Sequence, residues 1–137
     1  MTFEPVLEPE AEIAAWVEDR SGGCGVPNEP HAALGWKYNG RLVAGAVYKR
    51  LRPGCDITVA IAGEPLAARK GVFKAGLDYA FVTLGLQRIS AEVAEDNARC
   101  RKLIEGLGFK VEGRKRQAGP TGQDVLVYGL LKEERTL

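Results

Sequence analysis

With 137 residues the chain is about the length of one domain, of which ~100–150 residues is typical, so a single domain spanning 1–137 is expected. Hydrophobic residues make up 45% and charged ones 27%, which excludes a disordered tail, and 19 basic against 18 acidic side chains leave a net charge of +1. That balance provides no global field for DNA, RNA or an anionic membrane, so neither nucleic acid nor membrane is expected as a partner.

Cys24, Cys55 and Cys100 have neither zinc-ligand spacing nor a C-x-x-C pair, and His31 is the single histidine. No metal site is expected, and reduced thiols fit a cytosolic protein. The start, Met1-Thr2-Phe3-Glu4-Pro5, is acidic, and no apolar run approaches the ~20 residues of a membrane helix. A cytoplasmic location is the expectation.

In chain order, Ile13, Trp16 and Val17 stand at i, i+3 and i+4 and predict a short helix over 11–17. Residues 21–30 are crowded with Gly, Pro and Asn and read as a loop that could cover a site. Asn39-Gly40, set between the apolar runs 33–38 and 41–48, is the strongest local signal, because Asn-Gly supplies the positive φ values of a type I′ hairpin turn. Pro53-Gly54 marks a second turn and residues 56–62 a third strand, giving an antiparallel meander.

From Pro65 the period changes. Val72, Phe73, Leu77, Ala80, Phe81 and Leu84 form the stripe of a helix that Gly85 closes. Ile89, Ala91 and Val93 return to period two, predicting a strand over 88–94. Asn97 then offers an N-cap for a helix carrying Cys100, Leu103, Ile104 and Leu107, ended by Gly108. A short strand over 109–112, a basic glycine-rich loop over 113–122 and a final strand over 124–131 complete the chain.

The order of helix, three antiparallel strands, helix, strand, helix and two strands resembles the GNAT family of N-acetyltransferases. The motifs that carry the resemblance are Asp78-Tyr79-Ala80-Phe81, Leu84-Gly85-Leu86, Arg88-Ile89, Asn97-Ala98-Arg99-Cys100, Leu107-Gly108-Phe109, Glu112-Gly113 and the run from Asp124 to Leu131. Together they are similar to the branch of ribosomal-protein alanine N-acetyltransferases and to short acetyltransferase-like proteins of bacteria and their phages. The resemblance implies an α/β (α+β) fold with a mixed, mostly antiparallel sheet flanked by helices, and acetyl-CoA as cofactor. It also implies that the third meander strand and the strand over 89–94 splay apart to admit the pantetheine arm, held by backbone hydrogen bonds at Val59, Ala60, Ile61 and Ala62. Ala60 and Ala62 are small enough for this; as residues alone they are equally ordinary core alanines.

The pyrophosphate grip is expected at Arg69, Lys70, Gly71, Val72, Phe73 and Lys74, where a helix N-terminus and its cations meet an anion. In the family pattern only Gly71 matches a glycine slot, and Phe73 falls where a small residue is usual. Asn97 takes the slot of an asparagine that contacts the arm, and Arg99 and Arg101 are candidates for the coenzyme 3′-phosphate; both cations also suit a solvated helix face. A tyrosine acid common in the family is replaced by Ile104. Cys100 occupies a slot where a hydroxyl approaches the coenzyme sulfur, which makes it a candidate proton donor as well as a candidate core residue. Asp56 and Glu64 are the nearest candidate bases, with Glu92 on the neighbouring strand; catalysis by proximity without a dedicated base stays open.

The expected activity is acetyl transfer from acetyl-CoA to an amine of a small molecule or protein. A catalytically silent binding module of the same fold is the alternative. Arg114, Lys115 and Arg116 suggest an acidic acceptor or partner, or a solvated hairpin tip, and sheet pairing or exchange of the final strand offers a route to a homodimer.

Overall fold

The computed structural model describes residues 3–21, 31–64 and 70–137. Among these, seven strands form one sheet in the order β1-β2-β3-β4-β5-β7-β6. The strands are β1 (Glu4–Val6), β2 (His31–Tyr38), β3 (Arg41–Arg52), β4 (Asp56–Gly63), β5 (Arg88–Ala94), β6 (Lys110–Lys115) and β7 (Val125–Leu131). Every neighbouring pair is antiparallel except β4 and β5. Helix α1 (Glu10–Ser21) covers one face; α2 (Lys70–Asp78), the π-helical turn Tyr79–Thr83 that continues it, and α3 (Ala98–Gly106) cover the other.

The meander forms as its turns predict: Asn39 and Gly40 adopt φ of 54° and 77°, and Gly54 adopts 75°. The helix expected from Pro65 is described only from Lys70, since residues 65–69, like residues 22–30 of the expected first loop, lie outside the described residues. Two of the boundaries that differ from expectation shorten predicted loops. Ser21 is the last residue of α1, and Gly113, Arg114 and Lys115 belong to β6 because they pair with Val127, Leu126 and Val125. The β1 strand, only three residues long, was not expected; its partner β2 supplies the hydrogen bonds that so short a segment cannot specify alone.

Strand alternation sorts the core into two layers. Ile57, Val59, Ile61, Ile89, Tyr128 and Leu130 face α2 and α3, where Phe73, Phe81 and Ile104 fill the interior. On the other face Ile13, Ala14 and Val17 of α1 pack on Val47, Ala60 and Ala62. Gly45 permits the close approach, because a Cβ there would stand 2.6 Å from the Val17 side chain. The smallness of Ala60 and Ala62 is therefore accounted for by α1.

The π-helical turn has a specific support. The Tyr48 hydroxyl donates to the Gly76 carbonyl at 2.8 Å, just before the helix widens, and its ring meets Tyr79 edge-on. Burial, aided by Tyr79, pushes the Tyr48 phenol far up, so it remains a donor at any physiological pH. Tyr48→Phe removes this buried hydrogen bond and is expected to cost about 0.5–1.5 kcal/mol, read from the urea midpoint at unchanged m-value.

Candidate functional site

The site arises where β4 and β5 part. They pair in parallel through Asp56↔Arg88, Ile57↔Ile89, Thr58↔Ser90 and Val59↔Ala91, and the ladder stops there. Beyond it β4 stays with β3, through Ala60↔Val47 to Gly63↔Ala44, while β5 stays with β7, through Glu92↔Val127 to Ala94↔Val125. Each diverging strand keeps one satisfied edge and turns its other backbone edge into the fork, the edge that an added extended segment would pair with.

At the mouth of the fork lies a cavity of about 210 Å³, lined by Arg20, Ala62, Gly63, Glu64, Asn97, Arg99, Cys100 and Leu103. It joins the end of α1, the end of β4 and the start of α3. Asn97 caps α3, its side-chain oxygen accepting from the Cys100 backbone N–H at 3.1 Å, while its amide donates to the Arg20 carbonyl at 3.3 Å. One asparagine thus satisfies an orphan donor of α3 and an orphan acceptor at the end of α1. The Arg20 guanidinium lies 3.9 Å over the Trp16 ring, which holds the end of α1 in place.

Of the expected catalytic residues, two share this cavity and one does not. Cys100 is buried and donates its thiol hydrogen to the Ile61 carbonyl at 3.2 Å. Glu64 pairs with Arg41 at 2.7 Å. Asp56 is at the opposite, closed end of β4, roughly 23 Å along the strand from Gly63. There Arg52 holds it at 2.7 Å and Ser90 donates to it at 3.3 Å.

Of the residues expected to hold a cofactor, Ala62, Asn97 and Arg99 line the cavity, and Val59, Ala60 and Ile61 run along the fork. Arg101 does not line it: its guanidinium donates to the Glu95 carbonyl at 3.1 Å and stands 4.0 Å from Glu105. Arg69 lies outside the described residues, and Lys70 and Gly71 begin α2. Val72 and Phe73 are core residues, and Lys74 pairs with Asp78 at 2.9 Å. Phe73 meets Trp36 edge-on, with ring centroids 5.6 Å apart, and its ring edge would stand 3.1 Å from a Cβ on Gly63. Only a glycine at 63 leaves that aromatic room beside the cavity.

Glu92 has a more pointed position than its place in the sequence suggests. It is the first residue of β5 beyond the last rung shared with β4, and strand alternation sets it on the α1 side, opposite Ala91 and Val93. Arg50 donates to its Oε1 at 3.1 Å and Lys115 to its Oε2 at 2.5 Å. Burial alone would raise its pKa, but the Lys115 hydrogen bond and the charges of Lys115, Arg50 and Lys49 together hold it below its ordinary value of 4.5. Asp78 is lowered as well, chiefly by Arg135 and then Lys74, and Asp124 by the Gln117 backbone N–H and then Arg114.

Because these carboxyls ionise more readily folded than unfolded, they stabilise the fold fully above about pH 4.5, and that contribution is lost as pH falls through their lower folded-state values. Unfolding free energy is therefore expected to decline on acidification below pH ~4.5, with a shallower decline in Glu92→Gln, as pH-dependent urea melts would show.

Sequence patterning missed Arg20 and Gly63, and it read Lys115 only as part of a basic run. Arg20 had a local signal, its i, i+4 spacing from Trp16, whereas Lys115 meets Glu92 only across β7. The basic run is largely spent on pairing: Arg114 bonds Glu95 at 2.5 Å and Asp124 at 2.9 Å, and Lys115 bonds Glu92. Among the described residues no cluster of ligating side chains forms a metal site, and no helix is long and apolar enough to cross a membrane.

Neither a scan against protein-family models nor a search of curated proteins finds a match to the sequence. Solved structures do match. A probable acetyltransferase is 25% identical with a TM-score of 0.65 over 76% of this chain and 63% of its own. A GNAT-family acetyltransferase from Bacillus anthracis is 24% identical, with a TM-score of 0.61 over 74% of this chain and 67% of its own. A spermidine N-acetyltransferase from Vibrio cholerae, solved in complex with CoA and spermine, is 18% identical but aligns over 96% of both chains with a TM-score of 0.74. This chain thus spans less than two thirds of the probable acetyltransferase.

Proposed function

We propose that this chain, which has the GNAT acetyltransferase fold, is an acetyl-CoA-dependent N-acetyltransferase that moves an acetyl group directly to an amine. The observation that carries the reading is the fork between β4 and β5, with its backbone edges turned inward and a polar-mouthed cavity at its end. The residues present fit acetyl-CoA: an open strand edge for an amide-bearing arm, Asn97 beside it, Arg99 at the rim, and the start of α2 for a pyrophosphate. When bound, acetyl-CoA supplies an activated acetyl thioester.

The chain's own groups divide the remaining work. The fork-side edge of residues 60–63 would hold the arm in line with the fork, and the start of α2 at Lys70 and Gly71, with Arg69 just before it in the sequence, would supply cations and backbone N–H groups for the pyrophosphate. Val72 and Phe73 anchor that turn in the core, and Lys74 adds charge to it. Arg101 braces the approach to α3 through Glu95. At the apex Glu92, held ionised, pairs with the acceptor ammonium and takes its proton as the nitrogen becomes nucleophilic. Cys100 lines the cavity from α3 and would serve as a weak proton donor to the leaving thiolate. Glu64, with Arg41, sets the charge at the mouth, and Asp56 fixes the closed end of the fork through Ser90.

The acceptor is a primary amine entering on the α1 face. Release of free thiol from acetyl-CoA, followed across a panel of small amines, amino acids and peptide N-termini, tests the activity. Saturable, amine-dependent release is expected, and release that no amine accelerates would sink it.

A silent binding module is favoured by one feature: the cleft groups are already engaged, Cys100 with Ile61 and Asn97 with Arg20, and Phe73 crowds Gly63. That reading predicts no CoA binding by the intact protein.

A further inference from the structure

The acceptor side of the fork already holds an amine belonging to the chain itself. Glu92 stands at the apex, one residue past the Val59↔Ala91 rung. Lys115, the last residue of β6, reaches across β7 and sets its Nζ 2.5 Å from Glu92 Oε2. Its side chain is 54% exposed, against 15% for Glu92, so the ammonium sits at the boundary between solvent and the half-buried carboxylate. Two other lysines pair elsewhere: Lys74 with Asp78 near the end of α2, and Lys110 with Glu134 near the C-terminus. Lys49 lies within electrostatic reach of Glu92 but is itself 5% exposed.

We propose that Lys115 is a modification site of this protein, acetylated in its own cleft. The inference rests on the proposed acetyltransferase reading. Glu92 accepts a proton from the Lys115 ammonium, and the freed nitrogen pair attacks the acyl carbon of an acetyl thioester. The N–C bond forms, the C–S bond breaks, the leaving thiolate takes up the second proton that the nitrogen sheds, and Glu92 passes the first to solvent. The net change converts one ammonium and one thioester to one amide, one thiol and one released proton. Holding the amine against its base replaces a chance encounter with a positioned one, so Lys115 reacts ahead of lysines that merely face solvent. Once acetylated, Lys115 carries no charge and releases Glu92 Oε2, leaving that oxygen for an external ammonium.

The test follows the intact protein incubated with acetyl-CoA, with modified lysines mapped by tandem mass spectrometry over time. Acetylation of Lys115 is expected about tenfold or more ahead of every other lysine. It should be suppressed by excess free CoA and slowed in Glu92→Gln, while Lys115→Arg, which keeps the charge, should abolish the leading product. A second readout needs no turnover: with lysines carrying ¹³C-methyl labels, the Lys115 NMR signal should shift when free CoA is added, which does not depend on any variant folding. Modification spread evenly over the lysines, or led by Lys49 or another site, overturns the proposal. If added amines are acetylated and Lys115 is not, the proposal alone fails and the acetyltransferase reading stands. If the Lys115 signal ignores CoA and neither Lys115 nor any amine is acetylated, both fail.

Discussion

Glu92→Gln is expected to slow acetyl transfer to an added amine by about 10²–10⁴-fold while CoA affinity stays unchanged. Glutamine keeps the shape and can still face Arg50, but it neither attracts an ammonium nor accepts its proton. Because Glu92 lies on the α1 side of the fork apex, away from the mouth cavity formed with α3, the loss should appear in turnover and in acceptor KM. Steady-state kinetics against acceptor, together with CoA titration of the same variant, checks this. Equal loss of CoA binding would mean that Glu92 supports the cleft as a whole. Unchanged turnover would mean that proximity and solvent suffice.

Phe73→Ala is expected to have the largest effect on stability, about 3–5 kcal/mol by urea unfolding. The ring is 2% exposed, meets Trp36 edge-on and fills the interval between α2 and the end of β4 at Gly63. Its removal leaves a cavity beside the mouth of the fork, which the backbone cannot close because α2 is also anchored by Val72 and Leu77. The same variant separates the two functional readings. If Phe73 only packs the core, CoA affinity in the folded variant stays within a few-fold of the parent. If Phe73 closes the cleft, the variant gains CoA binding that the parent lacks.

The parts of this fold that were legible in the sequence are those fixed by local chemistry. Asn39-Gly40 demanded positive φ and has it, and Asn97 offered a cap to which the Cys100 N–H donates. The two-residue alternation of Ile89, Ala91 and Val93 and the stripe through Phe73, Leu77 and Phe81 gave element type and core face together. The parting of β4 from β5 followed only from the family resemblance, since no local pattern distinguishes a strand that will later diverge from its neighbour. The widening of α2 into a π-helical turn was hidden because its support, the Tyr48 hydroxyl on Gly76, comes from a strand 28 residues away.

The candidate site divides along the same line. The family resemblance pointed to Cys100, Asn97 and Arg99, and the requirement it implied for a nearby acid pointed to Glu64; the fold brings all four to one cavity. That requirement also pointed to Asp56, which the strand direction carries to the far end of β4, and it ranked Glu92 behind both acids because nothing in Ala91-Glu92-Val93 announces a fork. The basic run at 114–116 read as a single patch. Strand alternation instead sends Arg114 to Glu95 and Asp124 and Lys115 to Glu92.

The most direct test of the central claim is isothermal calorimetry of the intact protein with acetyl-CoA and with free CoA, repeated on Gly71→Asp. A carboxylate at the first turn of α2 opposes the pyrophosphate and the helix dipole that would attract it. Saturable binding of both ligands, weakened about tenfold or more by the substitution, is the predicted result. No binding of either ligand by the parent at millimolar concentration would contradict the account and leave the fold a closed binding module.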